Sequence, residues 1–184
     1  MTESAVKAIL YIKKEGIRMH LREATAQDAQ LISRMIAASW RGAYRDILDP
    51  VYLTRLPEDY WLPTMRTWLE SGRIYAYIAE KNGVPAGCVV YGRGRDEDHA
   101  DWGEIVSLYV LPEQMHQGVG SSLLDAALSS LRTDGYDRVY LWAIAEYTSG
   151  LRFYQQHGFR ATGERVAYKL GSNDVNDVRL ILTT

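Results

Sequence analysis

Apolar positions along this chain recur at two periods, and the changes of period mark out its elements. Near the amino terminus Val6, Ile9 and Leu10 share one face at helical spacing. Ser4 is placed to cap that segment and Gly16 to stop it, so residues 3–15 are expected to form a short helix. Ile17, Met19 and Leu21 then alternate with Arg18, His20 and Arg22, the two-residue period of a half-buried strand. Thr25 and Asp28 resemble a capping box with a shorter acid, ahead of a helix that carries Ile32, Met35, Ile36 and Trp40 on one face. Asp49-Pro50 and Pro57 each suggest a further helix start, and Gly72 is expected to stop a helix that ends near Glu70.

Beyond Gly72 strand-length runs take over. Residues 74–80 and 86–92 flank Asn82-Gly83, a dipeptide that favours a two-residue hairpin loop. Residues 93–102 are polar and acidic and read as a loop. Residues 104–111 read as a strand, 119–131 as a helix, 137–145 as a strand, and 149–156 as a helix ended by Gly158. Two strands, near 159–170 and 175–182, close the chain. The helix at 119–131 lies between two strands, so those strands pair in parallel at the centre of the sheet. The expected class is α/β: a mixed central β-sheet of about seven strands flanked by helices. It is read as one domain over residues 17–184, with residues 1–16 as an N-terminal helical extension.

Composition narrows the setting. A chain of 184 residues suits one domain with a substantial core. The formal charge of -2, with no basic block, argues against nucleic acid as a partner. No apolar run approaches the ~20 residues of a membrane-spanning helix, and no secretory leader is evident. Cys88 is the single cysteine, so no intrachain disulfide forms and a cytoplasmic setting is expected. The residues around it (Ala86, Val89, Val90) suggest a buried thiol and not an acyl-carrying nucleophile. Four scattered histidines lack metal-ligand spacing, so no metal is expected. Thirteen Tyr and five Trp against two Phe point to aromatics with polar handles lining a pocket.

The candidate chemistry lies in Leu108-Tyr109-Val110-Leu111-Pro112-Glu113-Gln114-Met115-His116-Gln117-Gly118-Val119-Gly120-Ser121, a strand, a tight loop and a helix start. Gly118 and Gly120 let a ligand approach the backbone closely. The first turn of the helix offers unpaired N–H groups and positive dipole character, an anion site of the kind a pyrophosphate fits. Ser121 adds a hydroxyl, and His116 is placed to contact the ligand. The pattern is neither a P-loop nor a dinucleotide fingerprint. Two glycines at a helix start also suit a plain turn with close packing.

The same stretch resembles the acetyl-CoA motif of the GNAT superfamily, Q/R-x-x-G-x-G/A. Gly118 and Gly120 match its glycines, while Met115 stands at its Q/R position. Tyr147-Thr148-Ser149-Gly150-Leu151-Arg152-Phe153-Tyr154 followed by Gly158-Phe159 is similar to the family's second signature. Tyr147 and Gly150 depart from its usual Asn and Ala. The resemblance covers roughly residues 17–182 and is most specific over 104–159. It implies the acyl-CoA N-acyltransferase fold and acetyl transfer from acetyl-CoA to an amine. It further implies a CoA site formed by Leu108, Tyr109, Val110, the main chain of Met115, His116, Gln117, Gly118, Val119, Gly120 and Ser121, and then Tyr147, Gly150 and Phe153. The strand before the loop is expected to bulge and to splay from the next one, admitting the pantetheine arm.

Acetyl transfer needs a proton acceptor for the amine, a donor to the oxyanion and an acid for the departing thiolate. The resemblance points to Tyr154 as the acid and to Glu104 as the base acting through a water, with direct transfer in a ternary complex. Both residues have structural alternatives, as a packed tyrosine and an exposed strand glutamate. Trp40, Tyr44, Tyr52, Tyr60, Trp61 and Trp68, with Asp96, Glu97, Asp98 and Asp101, are read as candidates for an acceptor pocket that favours a cationic small-molecule or peptide amine. An acetyl-CoA sensor without turnover is the competing reading, and a homodimer contact through the N-terminal helix is compatible with both.

Overall fold

The computed structural model describes residues 10–14 and 17–183. Its core is one eight-stranded sheet in the order β1-β2-β3-β4-β5-β6-β8-β7. The strands are β1 (Leu10–Lys14), β2 (Ile17–Glu23), β3 (Ile74–Lys81), β4 (Val84–Arg93), β5 (Gly103–Val110), β6 (Arg138–Ile144), β7 (Arg160–Leu170) and β8 (Asn173–Thr183). The helices are α1 (Ala29–Ala43), α2 (Pro50–Arg55), α3 (Leu62–Glu70), α4 (Val119–Thr133) and α5 (Thr148–Gln156). All neighbouring strands are antiparallel except β5 and β6, the parallel pair that flanks α4 in sequence.

Alternation along the central strands divides the core into two layers. Ile74, Ala76 and Ile78 of β3, with Cys88 and Val90 of β4, face Ile32, Met35 and Ile36 of α1 and Met65 of α3. Tyr77, Ala79, Val89 and Tyr91 face the opposite way, onto Leu123, Leu124, Ala127 and Leu131 of α4. Leu123, Leu124 and Leu131 are fully buried, and each contributes about 1.5–3 kcal/mol relative to exposure. Cys88 is buried mid-strand, and burial pushes its thiol up to about 12, which leaves it inert at neutral pH.

Two expectations are corrected. Residues 10–14 are a strand and not the end of a helix, pairing antiparallel with β2 from Leu10↔Leu21 to Lys14↔Ile17. Leu10-Tyr11-Ile12 has strand-forming composition, and the edge of β2 supplies ladder partners that so short a helix lacks. The rest of the expected helix, residues 3–9, lies outside the described residues. At Pro57 no helix starts: Tyr60 N–H closes a turn on the Pro57 carbonyl at 3.2 Å, and α3 begins at Leu62 with proline in its first turn. The Asn82-Gly83 hairpin forms as expected, with both residues at positive φ (53° and 80°). Thr25 N–H donates to Asp28 at 2.9 Å in the capping box, and α2 starts at Pro50 with Asp49 capping Val51 N–H at 2.7 Å. Among the described residues no helix is long and apolar enough to cross a membrane.

Two features of the sheet position the site. The β4–β5 register slips by one residue, Val90 pairing with Ser107 and Tyr91 with Ile105, so Val106 is bulged out of the ladder. β5 and β6 pair only at Gly103↔Val139 and Glu104↔Tyr140. Beyond that point the two strands part, and a wedge opens in the middle of the sheet.

Candidate active site

The loop from β5 to α4 prepares an anion site with its backbone. Pro112–Gln114 form a single 3-10 turn, after which His116 and Gly118 both take left-handed φ, 59° and 83°. At Gly118 a Cβ meets nothing within 4 Å, so glycine is needed there for its conformation and not for space. The first intrahelical bond of α4 is Ser122 N–H to Gly118 carbonyl at 3.1 Å. The N–H groups of Val119, Gly120 and Ser121 therefore precede any carbonyl partner in the helix and carry its positive end. A Cβ at Gly120 would lie 3.4 Å from the Phe153 ring, so this turn of α4 lies directly against α5. His157 fastens the contact: its Nδ1–H donates to the Phe153 carbonyl at 2.8 Å and its Nε2 lies 3.1 Å from the Ser121 hydroxyl.

A cavity of about 470 Å³ runs from this loop into the wedge between β5 and β6. Leu108, Tyr109 and Val110 line one side, Trp142, Ala143 and Ile144 the other, and Tyr147, Gly150, Phe153 and Tyr154 close it from α5. A second cavity of about 630 Å³ opens on the α1 side of the sheet. The two share Tyr44, Val106, Tyr109, Trp142, Ala143 and Ile144, so they meet at the wedge. The molecule thus has a passage through its sheet, with a phosphate-type cradle at one end and an acidic, aromatic chamber at the other.

Three groups stand near the meeting point. Tyr109 accepts a hydrogen bond from Trp40 Nε1–H at 2.8 Å, and burial pushes its phenol up to about 12. Tyr154 is half-buried, with its ring against Phe153 (5.2 Å between centroids) and Phe159 (5.7 Å). Its hydroxyl makes no hydrogen bond to another group among the described residues, and burial raises its pKa, so the proton stays on oxygen at neutral pH. Asp177 of β8 lines the second cavity, half-buried, and burial raises its carboxyl pKa too.

A sequence profile of the acetyltransferase (GNAT) family matches residues 40–159, which takes in the loop, the wedge and α5. The chain belongs to the GNAT acetyltransferase family. The uncharacterized N-acetyltransferase YuaI of Bacillus subtilis is 30% identical over 151 residues, 80% of this chain and 81% of that one. The fold is that of the PaiA N-acetyltransferase of Thermoplasma acidophilum in complex with coenzyme A, with a TM-score of 0.73 at 20% identity over 90% of this chain and 99% of that one. It is also that of yncA from Salmonella typhimurium with its cofactor acetyl-CoA, with a TM-score of 0.69 at 19% identity over 90% and 93% of the two chains. The protein is an N-acetyltransferase of the GNAT fold.

Most of the residues singled out by the GNAT motifs converge on the first cavity: Leu108, Tyr109, Val110, Met115, His116, Gly118, Gly120, Ser121, Tyr147, Gly150, Phe153 and Tyr154. Gln117 does not turn its side chain there, because its amide reaches Lys81 and donates to the Glu113 carbonyl at 2.9 Å. Val119 buries its side chain in the core and offers the site only its N–H. Glu104 lines neither cavity. Its carboxylate is 2% exposed, paired with Arg95 at 2.6 Å, and accepts further bonds from Arg95 N–H (3.1 Å) and Tyr140 hydroxyl (3.1 Å). Of the six aromatics proposed for the acceptor side, Trp40 and Tyr44 line the second cavity; of the four acids, Asp96, Glu97 and Asp98 do. Arg152, Trp142, Tyr168 and Asp177 were not picked out from the sequence. Arg152 had a local signal, a basic residue on the motif helix, whereas the other three sit in ordinary strand patterns.

The departures at Tyr147 and Gly150 compensate each other. A Cβ at Gly150 would lie 2.4 Å from the Tyr147 ring, which itself packs edge-on against Tyr44 at 5.4 Å. Gly150→Ala is therefore expected to destabilise by about 1–3 kcal/mol through overpacking. In a Tyr147→Ala background the same change should be neutral or stabilising by up to about 1 kcal/mol, since alanine is the better helix former. Urea denaturation of the four proteins in the cycle checks this change of sign.

Proposed function

We propose that this chain transfers the acetyl group of acetyl-CoA directly to the primary amine of a small molecule or peptide, both substrates being bound at once. The observation that carries this reading is the passage: two cavities of different chemistry meet at the wedge, where Tyr154 also lies. A protein that only sensed acetyl-CoA needs the first cavity; the second favours transfer to an acceptor.

The residues fit the cosubstrate. The N–H groups of Val119, Gly120 and Ser121 would hold the pyrophosphate, with Arg152 on the same cavity wall. The facing edges of β5 and β6, without ladder partners beyond Glu104↔Tyr140, would take the pantetheine arm. Main-chain N–H groups near Leu108 to Val110 would receive the oxyanion, and Tyr154 would protonate the departing sulfur. The same apolar cleft that raises the Tyr154 pKa raises the proton affinity of a thiolate there, which keeps the transfer balanced.

The test is thiol release from acetyl-CoA with putrescine, tyramine, glucosamine or a peptide with a free amino terminus, against a control without amine. Amine-dependent release above that control is expected with at least one of them. Binding of acetyl-CoA with no amine-dependent release would overturn the reading in favour of a sensor.

A further inference from the structure

Strand alternation in β8 sends Val178 and Leu180 into the α4-side core and turns the residues between them to the other face. There Val175 packs with Tyr44, Leu48 and Leu53. Asp177, next on that face, stands opposite Ile144 of β6 and Val166 of β7 and lines the second cavity. Its Oδ1 accepts from the Tyr168 hydroxyl at 3.1 Å, while no bond or ion pair to its other oxygen is found among the described residues. The two cations that line the same chamber are engaged elsewhere, Arg179 with Asp96 at 2.9 Å and Glu164 at 2.8 Å, and Arg95 with Glu104 at 2.6 Å. A half-buried carboxylate in a chamber walled by Trp40, Tyr44, Tyr109 and Trp142 is thus left without a cation. Such a group is costly to bury unless a positive charge comes to it.

We propose that Asp177 receives the ammonium group of the acceptor and takes its proton. This rests on the acetyl-transfer reading above. The proton passes from nitrogen to an Asp177 oxygen, leaving a neutral amine and a carboxylic acid. The nitrogen lone pair then forms the C–N bond at the thioester carbonyl carbon. As the C–S bond breaks, its electron pair stays on sulfur, which takes the Tyr154 proton. The second nitrogen proton returns to the Tyr154 oxygen, and Asp177 releases its proton to solvent. In sum, an ammonium and a thioester become an amide, a thiol and one proton.

The titratable and charged groups around Asp177 are Tyr168 from β7, Tyr109 from β5, Glu146 after β6, Arg179 on its own strand, Tyr44 after α1, and Arg95, Asp96, Glu97 and Asp98 from the loop after β4. The phenols are all raised by burial and stay neutral through pH 10, and Glu146 is exposed to solvent. Burial raises the Asp177 carboxyl above the usual carboxylate range, the Tyr168 hydrogen bond opposes that rise, and the higher proton affinity suits a proton acceptor.

With whichever of putrescine, tyramine, glucosamine and the free-amino-terminus peptide the wild-type protein acetylates best, Asp177→Asn is expected to lower kcat/KM for the amine by about 100-fold near pH 7. The acetyl-CoA Kd should stay within about threefold, and the defect should shrink to under about tenfold near pH 10, where a far larger share of the amine is already neutral than at pH 7. A merely structural role does not produce that closing gap. Tyr168→Phe, a milder variant, should move the acidic limb of the kcat/KM profile to higher pH. An unchanged kcat/KM in Asp177→Asn, a defect of constant size across pH, or an unmoved limb in Tyr168→Phe would overturn the assignment while leaving acetyl transfer in place. Wild-type protein that binds acetyl-CoA and acetylates none of these amines would remove the transfer reading and this inference together.

Discussion

Tyr154→Phe is expected to lower kcat by about 100- to 1,000-fold while leaving the acetyl-CoA Kd within a few-fold. The ring contacts to Phe153 and Phe159 survive the change, so the wall of the first cavity keeps its shape. The hydroxyl makes no hydrogen bond among the described residues, so its removal strands no donor or acceptor there and costs the fold little. What is lost is a proton at the wedge that burial holds in place up to high pH. The thiolate must then leave unprotonated into an apolar cleft, which raises the barrier to C–S cleavage and not the energy of the bound state. Stopped-flow thiol release and equilibrium titration with acetyl-CoA separate the two parameters. An unchanged kcat would show that another donor serves the sulfur and that Tyr154 is a packing residue.

The parts of this molecule that were legible beforehand are those in which local pattern and tertiary role coincide. The α4 face, the alternation in β3 and β4 and the Asn82-Gly83 turn each follow from spacing alone, because burial on one side enforces the period. The turn into α4 was legible for a similar reason: Gly118 is a local requirement of backbone geometry. Residues 10–14 were misread because a short apolar run fits a helix face or a strand, and only the free edge of β2 decides between them. Asp177 carried no local signal at all. It becomes notable only when the β7–β8 hairpin brings it to the chamber beside Tyr168, and when Arg179, two residues on, is seen to be engaged by Asp96 and Glu164. Tyr147 and Gly150 looked like two losses from a motif and prove to be one exchange of volume between neighbours.

Glu104 holds a motif position in surroundings that also suit a structural role. It and Tyr140 form the last pair of the β5–β6 ladder, so its side chain lies at the vertex of the wedge. Its carboxylate joins Arg95 to Tyr140 there, with Arg95 Nε–H at 2.9 Å in addition to the ion pair, and the Tyr140 hydroxyl in turn accepts from Arg95 and Asp96 N–H groups at 2.9 and 3.0 Å. The group pins the strands together just before they separate, and so sets where the passage begins. In Glu104→Gln an amide N–H₂ replaces an oxygen that faces only donors. The expected cost is about 3 kcal/mol, moderated by the partial exposure of Arg95, which corresponds to a fall of about 6–12 °C in Tm. Well below that Tm, kcat should fall by less than about tenfold if, as proposed, the amine proton goes to Asp177. A catalytic base at this position predicts the reverse, a near-normal Tm with kcat reduced by about 100-fold or more. Calorimetry and thiol release on this single variant therefore decide whether Glu104 shapes the wedge or works in it.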